Sequence, residues 1–402
     1  MKICSALILS TILSSSILAQ QADMEMKPGA EKPATIVTGM GTHHHAVSTN
    51  NPEAQKFFDQ GFAFVYAFNH DEAIRSFKRA ADIDPNLAMA YWGIALALGP
   101  NINLDVDPER EKTAYEAVQK ARSLAAKAPE NERAYIEALV KRYSIDPKAD
   151  LKQLAVDYKN AMGELVKRYP DDLDAATLYA ESAMDLRPWK FWTPDGKPAE
   201  GTEEIVATLE SVLRRDPNHA GAIHYYIHAV EASQHPERAL AYAPKLPKLM
   251  PAAGHLVHMP AHIYVRVGRY KDAAASNVHA IHMDETFIEG QPQPTVYSLA
   301  YYPHNIHFLA FGSSMEGNSA RAIEAAKTTP SRTMPRIVVR SPTASTVSAR
   351  SRIRRSTSLA LLIDPFAGAG YRVGNRHVGP AWRRNLAIGR VAAGVAEDQD
   401  VL

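Results

Sequence analysis

The sequence predicts an all-α fold, an α-α superhelical solenoid of stacked helix pairs, and three observations carry that reading. The 34 residues from Ala54 to Leu87 hold small, aromatic and proline residues at the spacings that two crossing helices need. The same frame returns at three later places in the chain. Pro129, Pro170 and Pro217 each close a helical segment that fits the frame more loosely. Self-similarity at such a period marks a repeat architecture, in which each helix pair buries its apolar face only against its neighbours.

In the first unit Gly61 takes position 8, Ala73 position 20, Phe77 position 24, Ala80 position 27 and Pro85 position 32. Small residues at 8 and 20 let the two helices cross closely, the aromatic fills the wedge between them, and proline stops the second helix. Downstream, Ala239, Ala243, Leu246 and Pro251 occupy positions 20, 24, 27 and 32 of a unit that starts at Ala220. Gly268, Ala273 and Ala280 occupy 15, 20 and 27 of the next, from Gly254, and Gly317 and Ala322 occupy 15 and 20 of one from Pro303. About six helix pairs fit between residues 52 and 327. The pattern resembles the tetratricopeptide repeat (TPR) family, which implies TPR-like helix pairs whose first helices line a concave groove. Fold-level likeness of this kind carries little about function.

The ends of the chain read differently. Lys2 followed by an uncharged stretch to Leu18, and then Ala19-Gln20-Gln21, has the form of a secretory signal peptide over residues 1–19. The stretch is short of the ~20 apolar residues a membrane span needs. Periplasmic or secreted localisation follows as an expectation, with no membrane span after cleavage. Cys4 is the one cysteine, so a processed chain has no disulfide and no thiolate chemistry. Residues 20–51 are polar and read as a flexible lead-in ending at His43-His44-His45, a run that either completes a metal site or is simply solvated. The formal charge of +1 gives no global reason to expect nucleic acid as a partner.

Two interruptions and a tail break the pattern. Arg187 to Pro194 is an aromatic loop, a lid or a packed insertion, and Glu289 to Pro294 is a linker. Residues 328–402 hold 12 arginines, no lysine and four acids, against 19 lysines and 14 arginines in residues 1–327. Three readings fit this Arg-rich, off-pattern segment: a shifted reading frame, a weakly structured or disordered extension, and an anion-binding tail.

Eleven of the sixteen histidines lie between His219 and His307. In the family, positions 2, 5, 9, 12 and 13 of the first helix face the groove. Register places His224, His228 and Glu231 at 5, 9 and 12 of one unit, and His255, His258, His262 and Arg266 at 2, 5, 9 and 13 of the next. His304 and His307 take 2 and 5 of the last. Side chains three and four residues apart share a helix face, and converging imidazoles suit Zn, Cu, Ni or Fe. The candidate metal ligands are therefore His224, His228, Glu231, His258, His262 and His307, with His255, His304 and Arg266 as further groove residues. His219, His235, His279 and His282 fall off that face and read as structural or solvated. Pro260 interrupts the helix that carries His258 and His262, so a helix starting at Pro260 makes His262 the safer member.

At the other end of the groove Phe58, Phe62 and Trp92 make an apolar surface, anchors for a protein or peptide ligand if the molecule is a scaffold for protein-protein interaction. His224-Tyr225-Tyr226-Ile227-His228, Met259-Pro260-Ala261-His262 and Tyr302-Pro303-His304-Asn305 resemble a subgroup of exported bacterial TPR proteins of unsettled function. Two functions stay open: an exported protein that binds a divalent transition metal in its groove, and a metal-free peptide-binding scaffold. No nucleophile or base is placed well enough to name a reaction, although Glu231 beside a bound metal is a candidate base.

Overall fold

Fifteen α-helices, described in a computed structural model of residues 33–291 and 295–328, follow one another with short connections. They are α1 Pro52–Tyr66, α2 His70–Ile83, α3 Ala88–Leu98, α4 Pro108–Leu124, α5 Glu130–Val140, α6 Leu151–Arg168, α7 Leu173–Met184 and α8 Thr202–Arg215. Then come α9 Ala220–Val230, α10 Leu246–Leu249, α11 Gly254–His258, α12 Pro260–Arg266, α13 Tyr270–Glu289, α14 Tyr302–Glu316 and α15 Ser319–Thr328. The signal-peptide expectation, residues 20–32 of the lead-in and the Arg-rich tail from 329 onward lie outside the described residues.

The helices start where the sequence supplies caps. Asn51 accepts from the N–H groups of Glu53 and Ala54 ahead of Pro52, and Asp107 accepts from Glu109 and Arg110 ahead of Pro108. Asp150 and Asp172 cap α6 and α7 in the same way. Each such cap satisfies donors that the first turn leaves orphaned, at about 1 kcal/mol apiece.

Consecutive helices pack as pairs, and the wedge residue works as the spacing predicts. The fully buried Phe77 ring lies between Gly61 of α1 and Gly93 of α3, where an added Cβ would come within 2.7 and 2.5 Å of it. Only glycine allows the three helices to close on that ring. Seven pairs form among the described residues, where the sequence suggests about six. The partner of α9 is irregular: two 3-10 turns, Pro236–Ala241 and Ala243–Lys245, lead into the one-turn α10, because Pro236, Pro244 and Pro247 interrupt the helix.

The solenoid also closes on itself. First helices of neighbouring pairs lie side by side, and in addition α1 meets α9, four pairs along. A Cβ on Gly221 would stand 2.4 Å from the Tyr66 ring, so this crossing too needs glycine. From Thr35 on, the lead-in is laid against this body rather than loose. The Val37 N–H donates to Gln60 Oε1 at 2.7 Å, the Ala252 N–H to the Gly39 carbonyl at 3.0 Å, and Ser48 Oγ to Glu132 Oε2 at 2.7 Å. The backbone of a polar segment stays put when it finds such partners. Among the described residues, no helix is long and apolar enough to cross a membrane.

Candidate metal centre

Three first helices bring their histidines to one buried place. His224 and His228 sit one turn apart on α9, and His304 opens α14. Pro260 splits the helix between them into α11, ending at His258, and α12, which carries His262. The break does not separate the two histidines: their ring centroids are 4.7 Å apart. His255, His258 and His262 therefore all join the cluster, where a helix starting at Pro260 made only His262 the safer member. Two triads offer nitrogen atoms within 4.8 Å of one another, His224–His228–His255 and His258–His262–His304.

The hydrogen bonds behind the rings decide what the rings present. His224 Nδ1–H donates to the Tyr66 carbonyl at 2.6 Å, and His258 Nδ1–H donates to Asn277 Oδ1 at 2.7 Å. The Asn277 amide is itself oriented, since its Nδ2–H donates to the Ala273 carbonyl. His228 and His262 donate their Nδ1–H to the two oxygens of Glu231, at 3.0 and 2.8 Å. All four rings are thus fixed with Nδ1 protonated and the Nε2 lone pair turned inward. His228 Nε2 lies 3.1 Å from His224 Nε2, and His255 Nε2 lies 3.2 Å from the same atom. His224 Nε2 thus lies within hydrogen-bond distance of two other imidazole nitrogens, and the three rings offer ligand atoms within 4.8 Å of one another, a geometry that suits a cation.

Electrostatics favour the neutral ring at four of the six histidines. Burial and the His228 imidazole hold His224 well below the usual histidine range. Burial with the surrounding imidazoles does the same for His255, His258 and His304. Glu231 is ionised: burial works against its charge, but His262 and His228 hold it well below the usual carboxylate range. Glu231 engages two imidazoles with its two oxygens, and His228–Glu231–His262 is a further group whose ligand atoms lie within 4.8 Å of one another.

The walls of the site are strained aromatics. Phe68, at the end of α1, and Trp189, in the 187–194 loop, are the two non-glycine residues with positive φ among the described residues, at 55° and 61°. Such backbone costs on the order of 1–3 kcal/mol and tends to collect at functional sites. Phe68 lies edge-on to His224 at 4.4 Å and stacks on His228 and His255, while Trp189 meets His228 edge-on at 5.2 Å. Trp192 fastens the loop, its Nε1–H donating to the Ala229 carbonyl at 2.7 Å. Behind His255, a second network holds its backbone. The His255 N–H donates to Tyr297 Oη, whose own O–H donates to Asp284 Oδ1, and Asn305 Nδ2–H donates to Asp284 Oδ2. Burial pushes the Asp284 carboxyl up to about 7.

Other predicted residues stand apart. His307 belongs to neither triad, and Arg266 is exposed at the end of α12. A π-helical turn at Tyr297–Tyr301 leads into α14, on which His304 joins the second triad and His307 joins neither. Phe58, Phe62 and Trp92 have no exposed surface at all. The chain's own His43 and His45 lie against them: His45 packs on Phe58 and Phe62, and His43 on Phe62.

Those two histidines belong to a second cluster that the repeat register did not reveal. Its centre is Asp174 of α7, buried at 8% exposure. His45 Nδ1–H donates to Asp174 Oδ2 at 2.7 Å, Tyr66 O–H to Oδ1 at 2.6 Å and His219 Nε2–H to Oδ1 at 3.1 Å, with His43 Nε2 also 3.1 Å from Oδ1. The tautomer of His219 is set by its other nitrogen, which accepts from the Ala222 N–H and so caps α9. His219 therefore points a proton, not a lone pair, at the carboxylate.

No family model and no curated protein matches the chain. Among solved structures it is similar to the human IFIT1 dimer with PPP-AAAA, at 12% identity and a TM-score of 0.36, over 69% of this chain and 72% of that one. The human IFIT1 dimer with m7Gppp-AAAA is similar at 13% identity and a TM-score of 0.35, over 69% and 71%.

Proposed function

We propose that this protein is an exported helical-repeat protein that binds a transition-metal ion, Zn, Cu, Ni or Fe, through the inward Nε2 atoms of its buried histidine cluster. One observation carries the reading: His224 and His228 face each other through Nε2 atoms 3.1 Å apart while both Nδ1 hydrogens are committed elsewhere. Neutral imidazoles pack with a hydrogen between their nitrogens. They converge lone pair to lone pair where a cation is to be held, and their hydrogen-bonded Nδ1 atoms are the outer shell that metal-ligating histidines need. The peptide-scaffold alternative loses its anchors, because residues 43–45 of the same chain cover Phe58 and Phe62.

Elemental analysis of protein purified without a histidine tag tests the reading. Stoichiometric metal is expected, and it should fall in a His224→Ala/His228→Ala variant that keeps its helical circular dichroism. Wild-type protein that stays metal-free after exposure to Zn(II) and Cu(II), with no change in melting temperature, sinks it.

A further inference from the structure

Resting on that reading, we propose that the cluster holds two metal ions rather than one, with a small oxygen ligand such as hydroxide bridging them. Six imidazoles exceed the four-coordinate sphere of a single Zn(II) ion, and here they divide into two triads of three. The second triad repeats the logic of the first. His262 Nε2 lies 3.4 Å from His304 Nε2, and the buried His258 Nε2 has no hydrogen-bond partner. An ion in one triad alone leaves the lone pairs of the other buried and unanswered, which costs free energy on the scale of any unpaired buried polar group.

The spacing fits a pair. Rings of different triads approach to 5.2 Å at His228–His262 and 5.8 Å at His255–His258. Two-metal sites hold their ions roughly 3.5–4 Å apart, and neighbouring rings at these separations leave room for one ion per triad. Glu231 supports one member of each triad with its two oxygens, so the outer shell already treats the triads as one unit.

Between them lies a cavity of about 10 Å³, lined by His228 and His255 of one triad and His262 and His304 of the other. That volume is about one water-sized body. Asn103, Trp189, Ala300 and Tyr301 complete its lining, and the first two hold buried polar atoms without a partner, Asn103 Oδ1 and Trp189 Nε1. A bridging hydroxide offers Trp189 an acceptor and Asn103 a donor.

Zn(II) titration followed by mass spectrometry of the native protein gives the first test. Two ions per chain are expected, falling to one in His224→Ala/His255→Ala and to one in His258→Ala/His304→Ala, variants that spare the His228–Glu231–His262 bridge. One ion in the wild type overturns the pair and leaves the single-ion reading standing, whereas none overturns both. Cu(II)-loaded wild-type protein gives a test that needs no variant to fold. A coupled pair loses most of its paramagnetic resonance intensity, and the full signal of two isolated ions overturns the proposal. Strong coupling between the two Cu(II) ions requires a shared ligand atom, so a doubly loaded protein whose ions show no coupling overturns the bridging ligand as well.

Discussion

The described residues hold two buried histidine clusters, and they are built in opposite senses. At Asp174, two histidines and Tyr66 aim N–H and O–H groups inward at a carboxylate, and His43 stands beside it. At the second cluster, six imidazoles gather around no anion, and the carboxylate Glu231 stands behind them. The difference lies in what each outer nitrogen bonds. An outer nitrogen that accepts, as His219 Nδ1 does from a helix N-terminus, sends the proton inward. One that donates, as His224 Nδ1 does to a carbonyl, sends the lone pair inward. The first arrangement ties three donors to a carboxylate, and the second is the one that suits the proposed cation. Counting histidines does not distinguish them; following their second hydrogen bonds does.

The Asp174 cluster joins the lead-in, α1, α7 and α9, so its loss should have the largest effect. Asp174→Ala leaves three buried donors, one of them the helix-capping His219, without their acceptor, and removing one partner of such a set costs about 3–5 kcal/mol. Chemical denaturation of the metal-free protein should show a midpoint shift of that size. Tyr66 also lends its carbonyl to His224, so the variant should weaken metal binding as well. A loss under about 1 kcal/mol, the value of a surface pair, would break the distinction between a structural tie and a metal receptor.

The two clusters should also respond to pH with opposite sign. At Asp174, burial raises the carboxyl pKa, but His219, His43 and His45 bring it well below its ordinary value of 3.8. Its contribution is present above that value and is lost as pH falls through the lowered one. Asp284, behind His255, is raised from 3.8 to about 7, so its contribution is present at acid pH and is lost as pH rises from about 4 to 7. At roughly 1.4 kcal/mol per unit, the second effect is on the order of 4 kcal/mol as an upper bound. Asp284→Asn removes that titration. A flipped Asn305 side chain, whose Oδ1 is buried without a partner, can accept from the new amide. Relative to wild type, the variant should therefore gain stability between pH 5 and pH 8, measured by thermal melts across that range. A difference that stays flat with pH would remove Asp284 from the account.

Much of this was legible in the sequence, for physical reasons that also set the limit. The Gly61–Phe77 contact is local, and residue spacing alone fixes it, so the helix pairs and the groove face of His224, His228, His255, His258, His262 and His304 could be read directly. Asp174 finds His45 across 129 residues, a contact that repeat spacing does not encode. His219 looked peripheral because register counts the faces of a regular helix, and this residue works from the cap before one. Phe68 and Trp189 reach the site from loops, where backbone conformation rather than period places a side chain. His307, which register also places on the groove face, belongs to neither triad.

The smallest effect is the most selective. Glu231→Gln keeps the size and shape of the side chain but offers one acceptor oxygen where two Nδ1–H groups now donate. The amide's own N–H then faces either His228 or His262, and that ring must turn or adopt the other tautomer, pointing Nε2–H into the cluster. Loss of an outer-shell partner of this kind weakens metal binding about 10–100-fold, or roughly 1.4–2.7 kcal/mol. Competition with a chromophoric chelator measures it, on protein whose denaturation midpoint without metal is recorded alongside. His219→Gln, on the Asp174 side, supplies the control: it should lower stability and leave Zn(II) affinity within about threefold of wild type, since His219 turns a proton inward. Equal affinity in Glu231→Gln and wild type would mean that the rings find their orientation without the carboxylate. An equal drop in both variants would mean that the two clusters are one cooperative core, and the division between tie and receptor would fail.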